Sequence, residues 1–416
     1  MKCGLLGRKL GHSYSPEIHA YLADYSYELF EKEPEKVVDF LKNGGFSAIN
    51  VTIPYKQTVI PYLQELSPLA QRLGAVNTVV RRNGSLIGHN TDYFGFVSMV
   101  QKSGLDPRGK KCLVLGSGGV SKPAIAALEE MGADVVVISH RDNTPENLAK
   151  HADAAIIVNA TPVGMYPNVS DSPVELDLFP ALEGVLDLIF NPARTQLMLQ
   201  AEKRGVVAMG GLWMLVAQAK EASEWFTESS ISDDKIEEIH AILRRKMENI
   251  ILIGMPGCGK STVGAALAKA TGRHLVDADA AIIEKAGISI PRIFAESGEE
   301  GFRAIETEVL EELGKQSGLI IATGGGCVTR ERNYPLLHRN GSIFWLKRDP
   351  EKLPTDGRPL SQATKLTDMY TQRKPLYARF ADHVIDNNGD IEDTLKEIIS
   401  LRASAHAGVP IHQGDA

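Results

Sequence analysis

The run Gly254-Met255-Pro256-Gly257-Cys258-Gly259-Lys260-Ser261 gathers three glycines, a lysine and a hydroxyl within eight residues. It follows the apolar stretch NIILI and leads into STVGAALAKAT, whose spacing predicts a helix. Glycines there let successive backbone N–H groups converge on an anion, and a helix N-terminus adds the favourable end of its dipole. The pattern is that of a phosphate-binding loop. Gly257, Cys258, Gly259 and Thr262 would offer backbone groups, Lys260 would reach the outer phosphates, and Ser261 would hold Mg²⁺.

Further along, Asp277-Ala278-Asp279 ends a short strand and sets two carboxylates at a sheet edge. Phe302-Arg303-Ala304-Ile305-Glu306 places Arg303 and Glu306 three apart on one helix face. Thr323-Gly324-Gly325-Gly326 closes another strand where backbone can approach a ligand closely. Arg358-Pro359-Leu360 and Arg373-Lys374-Pro375-Leu376-Tyr377 add two more cations.

The first half carries a weaker glycine signal. Gly116-Ser117-Gly118-Gly119-Val120 follows the strand-like CLVL but lacks the full GxGxxG spacing of a dinucleotide turn. Four polar clusters precede it: His12 to Pro16, Asn50 to Lys56, Gly74 to Thr78, and Gly88 to Asp92. Each falls at an expected strand end or helix start, so all can converge on one cleft. Hydroxyls and amides suit a polyhydroxylated acid, and Lys56 with Asp92 suits proton transfer at a carbon–oxygen centre. Asp92 also reads as an N-cap for YFGFVSMV.

The elements that must position these residues alternate between strand and helix. KCGLLG, SYELF, SAINVTI and AVNTVVRR read as strands, with PEIHAYLADY and PEKVVDFLKN as helices, up to about residue 98. From Lys111 the order CLVLG, KPAIAALEEMGA, DVVVIS, AAIIVNAT and GVLDLIF predicts a doubly wound unit. Two helices, roughly 212–226 and 232–247, close this half, and NIILIG opens the next without a linker. GLIIATG, SIFWLK and HVID continue an α/β pattern, IEDTLKEIISL reads as a last helix, and 403–416 reads as a disordered tail. The fold class expected is therefore α/β throughout: a substrate domain at 1–98 completed by helices 212–246, a Rossmann-like domain at 99–211, and a P-loop domain with a parallel sheet at 249–402.

At 416 residues the chain is long enough for several domains, and 43% hydrophobic residues supply each with a core. A net charge of −7 gives no global basic footprint for nucleic acid, so anionic ligands must be met by local cations and backbone N–H groups. Four scattered cysteines form no CxxC pair, and no apolar run approaches a membrane span. A cytoplasmic protein without nucleic-acid or membrane partners is expected.

The spaced combination of P-loop, DxD, FRxxE, GGG, RPL and RxPLY closely resembles the shikimate kinase family across nearly all of 249–401. The resemblance implies ATP and Mg²⁺, with Asp279 as shikimate-binding general base and Asp277 supporting the metal beside Ser261. It implies that Arg303 and Arg373 clamp the carboxylate, that Gly325 and Gly326 contact ring hydroxyls, and that Arg358 comes from a lid to meet the transferring phosphoryl group. The stretch LKRDPEKLPTDGRPLS departs from the family in being short and in lacking an upstream lid arginine.

The clusters of the first half, with Asn159 to Met165 and Gly211 to Gln218, strongly resemble shikimate dehydrogenase over residues 1 to about 246. The resemblance implies reversible reduction of 3-dehydroshikimate by NADPH, with Lys56 handling the hydroxyl proton and Asp92 positioning the substrate. Ser13, Ser15, Thr52, Asn77, Asn90 and Gln218 would bind shikimate. Gly116, Ser117, Gly118, Gly119, Val120, Arg141, Thr161 and Gly211 would line the NADP site. Phe190 stands where relatives carry a tyrosine, and Ser139-His140-Arg141-Asp142 replaces the usual Asn-Arg-Thr, with Pro145 at a further arginine's position. Arg141 suits a 2′-phosphate, whereas Asp142 suits a free ribose hydroxyl, so NAD stays open beside NADP. Two rival readings stand alongside: a quinate-active, NAD-using first half, or one half kept as a metabolite sensor without catalysis.

Overall fold

The computed structural model describes residues 1–11, 13–353 and 366–404. The chain forms two compact units, residues 1–191 with 195–242 and residues 192–194 with 243–416, and the later divide falls inside the helix Asp234–Met247.

The first unit holds two sheets. Strands β1 (Lys2–Gly7), β2 (Ser26–Glu31), β3 (Ala48–Val51), β4 (Glu65–Leu66), β5 (Thr78–Arg82) and β6 (Ser85–His89) assemble in the order β2-β1-β3-β5-β6-β4. β1 runs parallel to β2 and β3, whereas β5 is antiparallel to both β3 and β6. Alternating small and branched residues made β3 legible, but β6, with a glycine next to its last residue, was not separately expected.

The second sheet comprises β7 (Lys111–Leu115), β8 (Asp134–Ile138), β9 (Ile156–Asn159), β10 (Gly184–Asp187) and β11 (Val207–Gly210), all parallel, in the order β11-β10-β9-β7-β8. The strand order reverses at β7, with β8 added on one side and β9 on the other, so the crevice beyond the carboxyl ends of β7 and β9 is the switch point where such sheets bind ligands. β9 and β10 are buried along their whole length, as a strand covered by helices on both faces must be. β11, VAMG, carries too weak a run to be read from sequence.

The second unit is built on β12 (Asn249–Ile253), β13 (Leu275–Asp277), β14 (Ile320–Ala322), β15 (Gly341–Lys347) and β16 (His383–Asp386). They form a parallel sheet ordered β13-β14-β12-β15-β16, with every residue of β12 buried at its centre. Among the described residues no helix is long and apolar enough to cross a membrane.

Candidate active sites

Lys56 sits in the turn after β3, and Asp92 opens the helix Asp92–Ser103 just after β6. Lys56 Nζ donates to Asp92 Oδ2 at 2.6 Å, with the two side chains 14% and 10% exposed. That is buried enough to strengthen the attraction, yet open at one face. The turn is held by the Thr52 N–H on Leu6 O (2.9 Å), the Tyr55 N–H on Thr52 O (2.9 Å) and the Val76 N–H on Lys56 O (2.8 Å). The N-cap reading of Asp92 is corrected: Thr91 occupies the cap, and Asp92 is the first helical residue, its N–H accepted by Asn90 Oδ1 at 3.1 Å. A carboxylate there still meets the positive end of the helix dipole.

Behind the pair runs a continuous polar web. Asn77 Oδ1 accepts from the Thr91 N–H at 2.7 Å while its Nδ2 donates to Thr91 Oγ1 at 3.0 Å. Thr91 Oγ1 also reaches Gln218 Oε1 at 3.4 Å. Gln218 comes close because Gly95 lets its helix approach: a Cβ there would lie 2.8 Å from Met214 O and 3.0 Å from Gln218 Cβ. Asn90 Nδ2 is spent on Ala75 O at 3.0 Å, so this residue braces the loop. Ser13 Oγ accepts from the Ser15 N–H at 3.2 Å, and Ser13 and Thr52 stay half-buried.

Sequence reasoning missed Tyr27 and gave Thr78 and Thr91 no individual role, although both lie within the quoted polar clusters. Tyr27 OH donates to Asn50 Oδ1 at 2.7 Å, and Asn50 Nδ2 donates to Thr78 Oγ1 at 3.3 Å. Tyr27 stacks on His19 at 4.0 Å between centroids, and burial pushes the His19 imidazole down to about 3. Tyr27, inside an ordinary amphipathic strand, gave no signal.

At the switch point Gly116 has φ 104°, and a Cβ would meet Ala160 O at 2.9 Å and Thr161 Cγ2 at 3.1 Å. Only glycine fits between the ends of β7 and β9. Gly118 and Gly119 face open space, Ser117 is exposed, and Val120 caps the helix Ser121–Glu130. Thr161 Oγ1 donates to Asn159 Oδ1 (2.7 Å), and Asn159 Nδ2 donates to Asp187 Oδ1 (3.1 Å). Asp187 also accepts from Thr195 Oγ1 at 2.6 Å and from the Ile189 N–H at 3.0 Å. Burial nevertheless pushes the Asp187 carboxyl up to about 6. Gly211 is tied to the same edge through its N–H on Ile189 O (2.9 Å). Arg141 is exposed beyond β8, while the Asp142 carboxylate accepts from Ser139 Oγ. The Phe190 ring meets Tyr14 edge-on at 6.1 Å. An open glycine turn at a helix start, with an exposed arginine at the next strand's end, fits a phosphorylated dinucleotide.

In the second unit Gly254, Gly257 and Gly259 hold φ of 144°, 83° and 101°, wrapping the loop around the N-terminus of the helix Lys260–Thr271. Buried Lys260 arches back, donating to Gly254 O at 2.9 Å and Met255 O at 3.1 Å. Ser261 Oγ donates to Asp277 Oδ2 at 2.7 Å. Asp277 Oδ1 accepts from the Asp279 N–H (3.0 Å) and the Ala280 N–H (3.4 Å), capping the helix Ala278–Ala286. The cradle and the hydroxyl–carboxylate pair fit a nucleotide triphosphate with its divalent cation.

Arg303 Nη1 meets Glu306 Oε2 at 2.8 Å, not on the helix surface but in the interior, where Glu306 is wholly buried. Burial pushes the Glu306 carboxyl up, against the pull of Arg303. A Cβ at Gly326 would overlap the Arg303 guanidinium, and one at Gly324 would lie 2.9 Å from both Asp279 Oδ1 and Glu306 Oε1. Arg373 Nη1 and Tyr377 OH both donate to Gly325 O, the former at 3.2 Å. Asp279, Arg303, Arg373 and the glycine strand end therefore share one pocket. Arg358 and the tail from residue 405 lie outside the described residues.

A doubly wound crevice with a Lys–Asp pair defines a dinucleotide-dependent oxidoreductase type of unit, and the P-loop sheet with its carboxylates defines a phosphotransferase type. The comparisons with known proteins agree. Residues 5–79 match the shikimate dehydrogenase substrate binding domain, and residues 256–402 match shikimate kinase. Shikimate dehydrogenase (NADP(+)) of Clostridium beijerinckii is 33% identical over 267 residues, 59% of this chain and 98% of that protein. The solved chorismate mutase/shikimate 5-dehydrogenase fusion protein from Clostridium acetobutylicum is 35% identical with a TM-score of 0.55, covering 59% of this chain and 97% of that one. Shikimate 5-dehydrogenase from Thermus thermophilus in complex with NADP(H) and shikimate is 32% identical with a TM-score of 0.53, covering 58% and 98%. The chain belongs to the shikimate dehydrogenase family and carries a shikimate kinase domain after it.

Proposed function

We propose that this is a bifunctional enzyme whose first unit reduces 3-dehydroshikimate to shikimate reversibly and whose second phosphorylates shikimate to shikimate 3-phosphate. The carrying observation is that one chain joins two sites whose families name consecutive steps. The domains take the bounds 1–98 with 212–246, 99–211 and 249–402, in a cytoplasmic protein.

In the first unit, NADPH supplies the hydride when bound, along Gly116 to Val120, Thr161 and Gly211, with Arg141 toward its 2′-phosphate. Lys56 delivers the proton to the oxygen that becomes the hydroxyl and removes it in reverse. Asp92 holds Lys56 in place and accepts from a neighbouring substrate hydroxyl. Ser13, Ser15, Thr52, Asn77 and Gln218 orient the carboxylate and hydroxyls, braced by Asn90. Dislodging any of these costs rate through misalignment.

In the second unit, Mg-ATP supplies the phosphoryl group. Asp279 accepts the proton of the attacking hydroxyl, while Arg303 and Arg373 hold the carboxylate and Gly325 and Gly326 face the ring. Lys260 leaves its loop carbonyls for the phosphates, Ser261 and Asp277 support the cation, and Arg358 approaches the transferring group. The test is a one-pot reaction with 3-dehydroshikimate, NADPH and Mg-ATP, with all products read by mass spectrometry. Shikimate 3-phosphate is expected. Arrest at shikimate would overturn the kinase assignment, and no consumption of NADPH would overturn the dehydrogenase.

A further inference from the structure

Arg348 follows β15 directly and belongs to none of the roles above. Its side chain is half-buried, and its Nε is shut away from solvent with no hydrogen-bond partner among the described residues. Leaving a buried N–H donor unpaired is costly, so such a donor points to a partner that completes it.

Its position says which partner. A Cβ built at Gly259, in the phosphate loop, would lie 3.9 Å from Arg348 Nη1 and 3.2 Å from Asn387 Nδ2. Asn387 is fixed by donating to Cys258 O at 2.6 Å and accepting from Thr394 Oγ1 at 2.9 Å. The Asp349 N–H on Asn388 Oδ1 at 3.0 Å ties the turn after β15 to the turn after β16. Arg348 is thus held against the loop from the β15–β16 side.

The strand order supplies the direction of the ligand. Asp277 leaves β13 with Asp279 just beyond it, and the glycine run follows β14, so these acceptor groups lie to one side of β12. The outer phosphates must point toward that side, and the nucleoside end must lie over β15 and β16. We propose that Arg348 binds the nucleoside-side phosphate of ATP, completing its own buried donor on that anion. The inference rests on the kinase reading of this unit.

The test uses the full chain and measures Mg-ADP and Mg-ATP binding by calorimetry, with steady-state kinase rates alongside. Arg348→Ala should weaken both nucleotides by a similar factor, about ten-fold or more, because both carry that phosphate. The KM for ATP should rise accordingly, with the KM for shikimate and the dehydrogenase rate within two-fold of the parent. Arg348→Lys should recover part of the loss. On the unaltered protein, Mg-ADP should protect Arg348 from phenylglyoxal and NADP should not, which tests the contact without any substitution. Unchanged nucleotide binding in Arg348→Ala, or no protection by Mg-ADP, would overturn the assignment while leaving the kinase reading standing. Failure of the parent chain to bind Mg-ADP would remove both.

Discussion

Lys56 Nζ and Asp92 Oδ2 stand 2.6 Å apart although 36 positions separate them in sequence. The contact requires β3 and β6 to end at the same sheet edge, which the intervening β5 ensures by pairing antiparallel with both. A lysine held this way has one direction left to offer its proton.

Lys56→Ala should lower the dehydrogenase kcat by about 10²–10⁴-fold, the usual worth of a positioned acid–base group. Asp92→Asn should lower it too and raise the KM for shikimate. The kinase rate of both proteins should match the parent, and measuring both activities on the same preparation checks this. A Lys56→Ala protein with undiminished dehydrogenase turnover would sink the assignment.

Gly326→Ala should disable shikimate binding in the kinase without touching the phosphate loop. The added methyl would occupy the Arg303 guanidinium's place, and Arg303 cannot retreat while Glu306 holds it at 2.8 Å. The expected result is a KM for shikimate raised at least about ten-fold, consistent with the loss of a charge-assisted contact. ATP binding by calorimetry should stay unchanged. An equal loss for both ligands would show that the whole loop had shifted.

The parts of this molecule legible in sequence are those where chemistry and local structure share a few adjacent residues. Gly254 to Ser261 announces strand, loop, helix and ligand together, and Gly116 marks the end of β7. Contacts made at a distance left no such mark. Tyr27 serves the first site through Asn50, and nothing in SYELF separates it from a surface tyrosine. Asp187 looked like one residue of an apolar strand, yet it anchors Asn159 and through it Thr161. β6 and β11 were missed because their residues are stabilised by sheet neighbours more than by their own pattern.

Arg141→Ala should separate the two dinucleotides. If the exposed guanidinium receives a 2′-phosphate, kcat/KM with NADPH should fall about ten-fold or more while that with NADH changes little. Equal losses would place Arg141 on the shared part of the cofactor. A parent enzyme preferring NADH would shift the assignment to Asp142, which needs only to release Ser139 Oγ to meet a ribose hydroxyl.

Two buried groups should tilt stability with pH in opposite senses. Burial lowers His19 from 6.5 to about 3, so between those values the unfolded chain binds a proton that the native chain refuses, and stability falls as pH drops. Asp187 is raised from 3.8 to about 6, so in that window the native state holds more protons than the unfolded one, and stability falls as pH rises. The shift corresponds to about 2–3 kcal/mol lost between pH 4 and pH 7. In Asp187→Asn that loss disappears, because the amide does not titrate. Its oxygen can still accept from the Ile189 N–H and Asn159, while its NH₂ meets Thr195 Oγ1 as a donor. Denaturant titrations of both proteins, read by hydrogen exchange in the β9 and β10 peptides, should show the variant gaining relative to the parent as pH rises. A stability difference that stays constant from pH 4 to pH 7 would mean that Asp187 is already ionised throughout, held charged by its three donors.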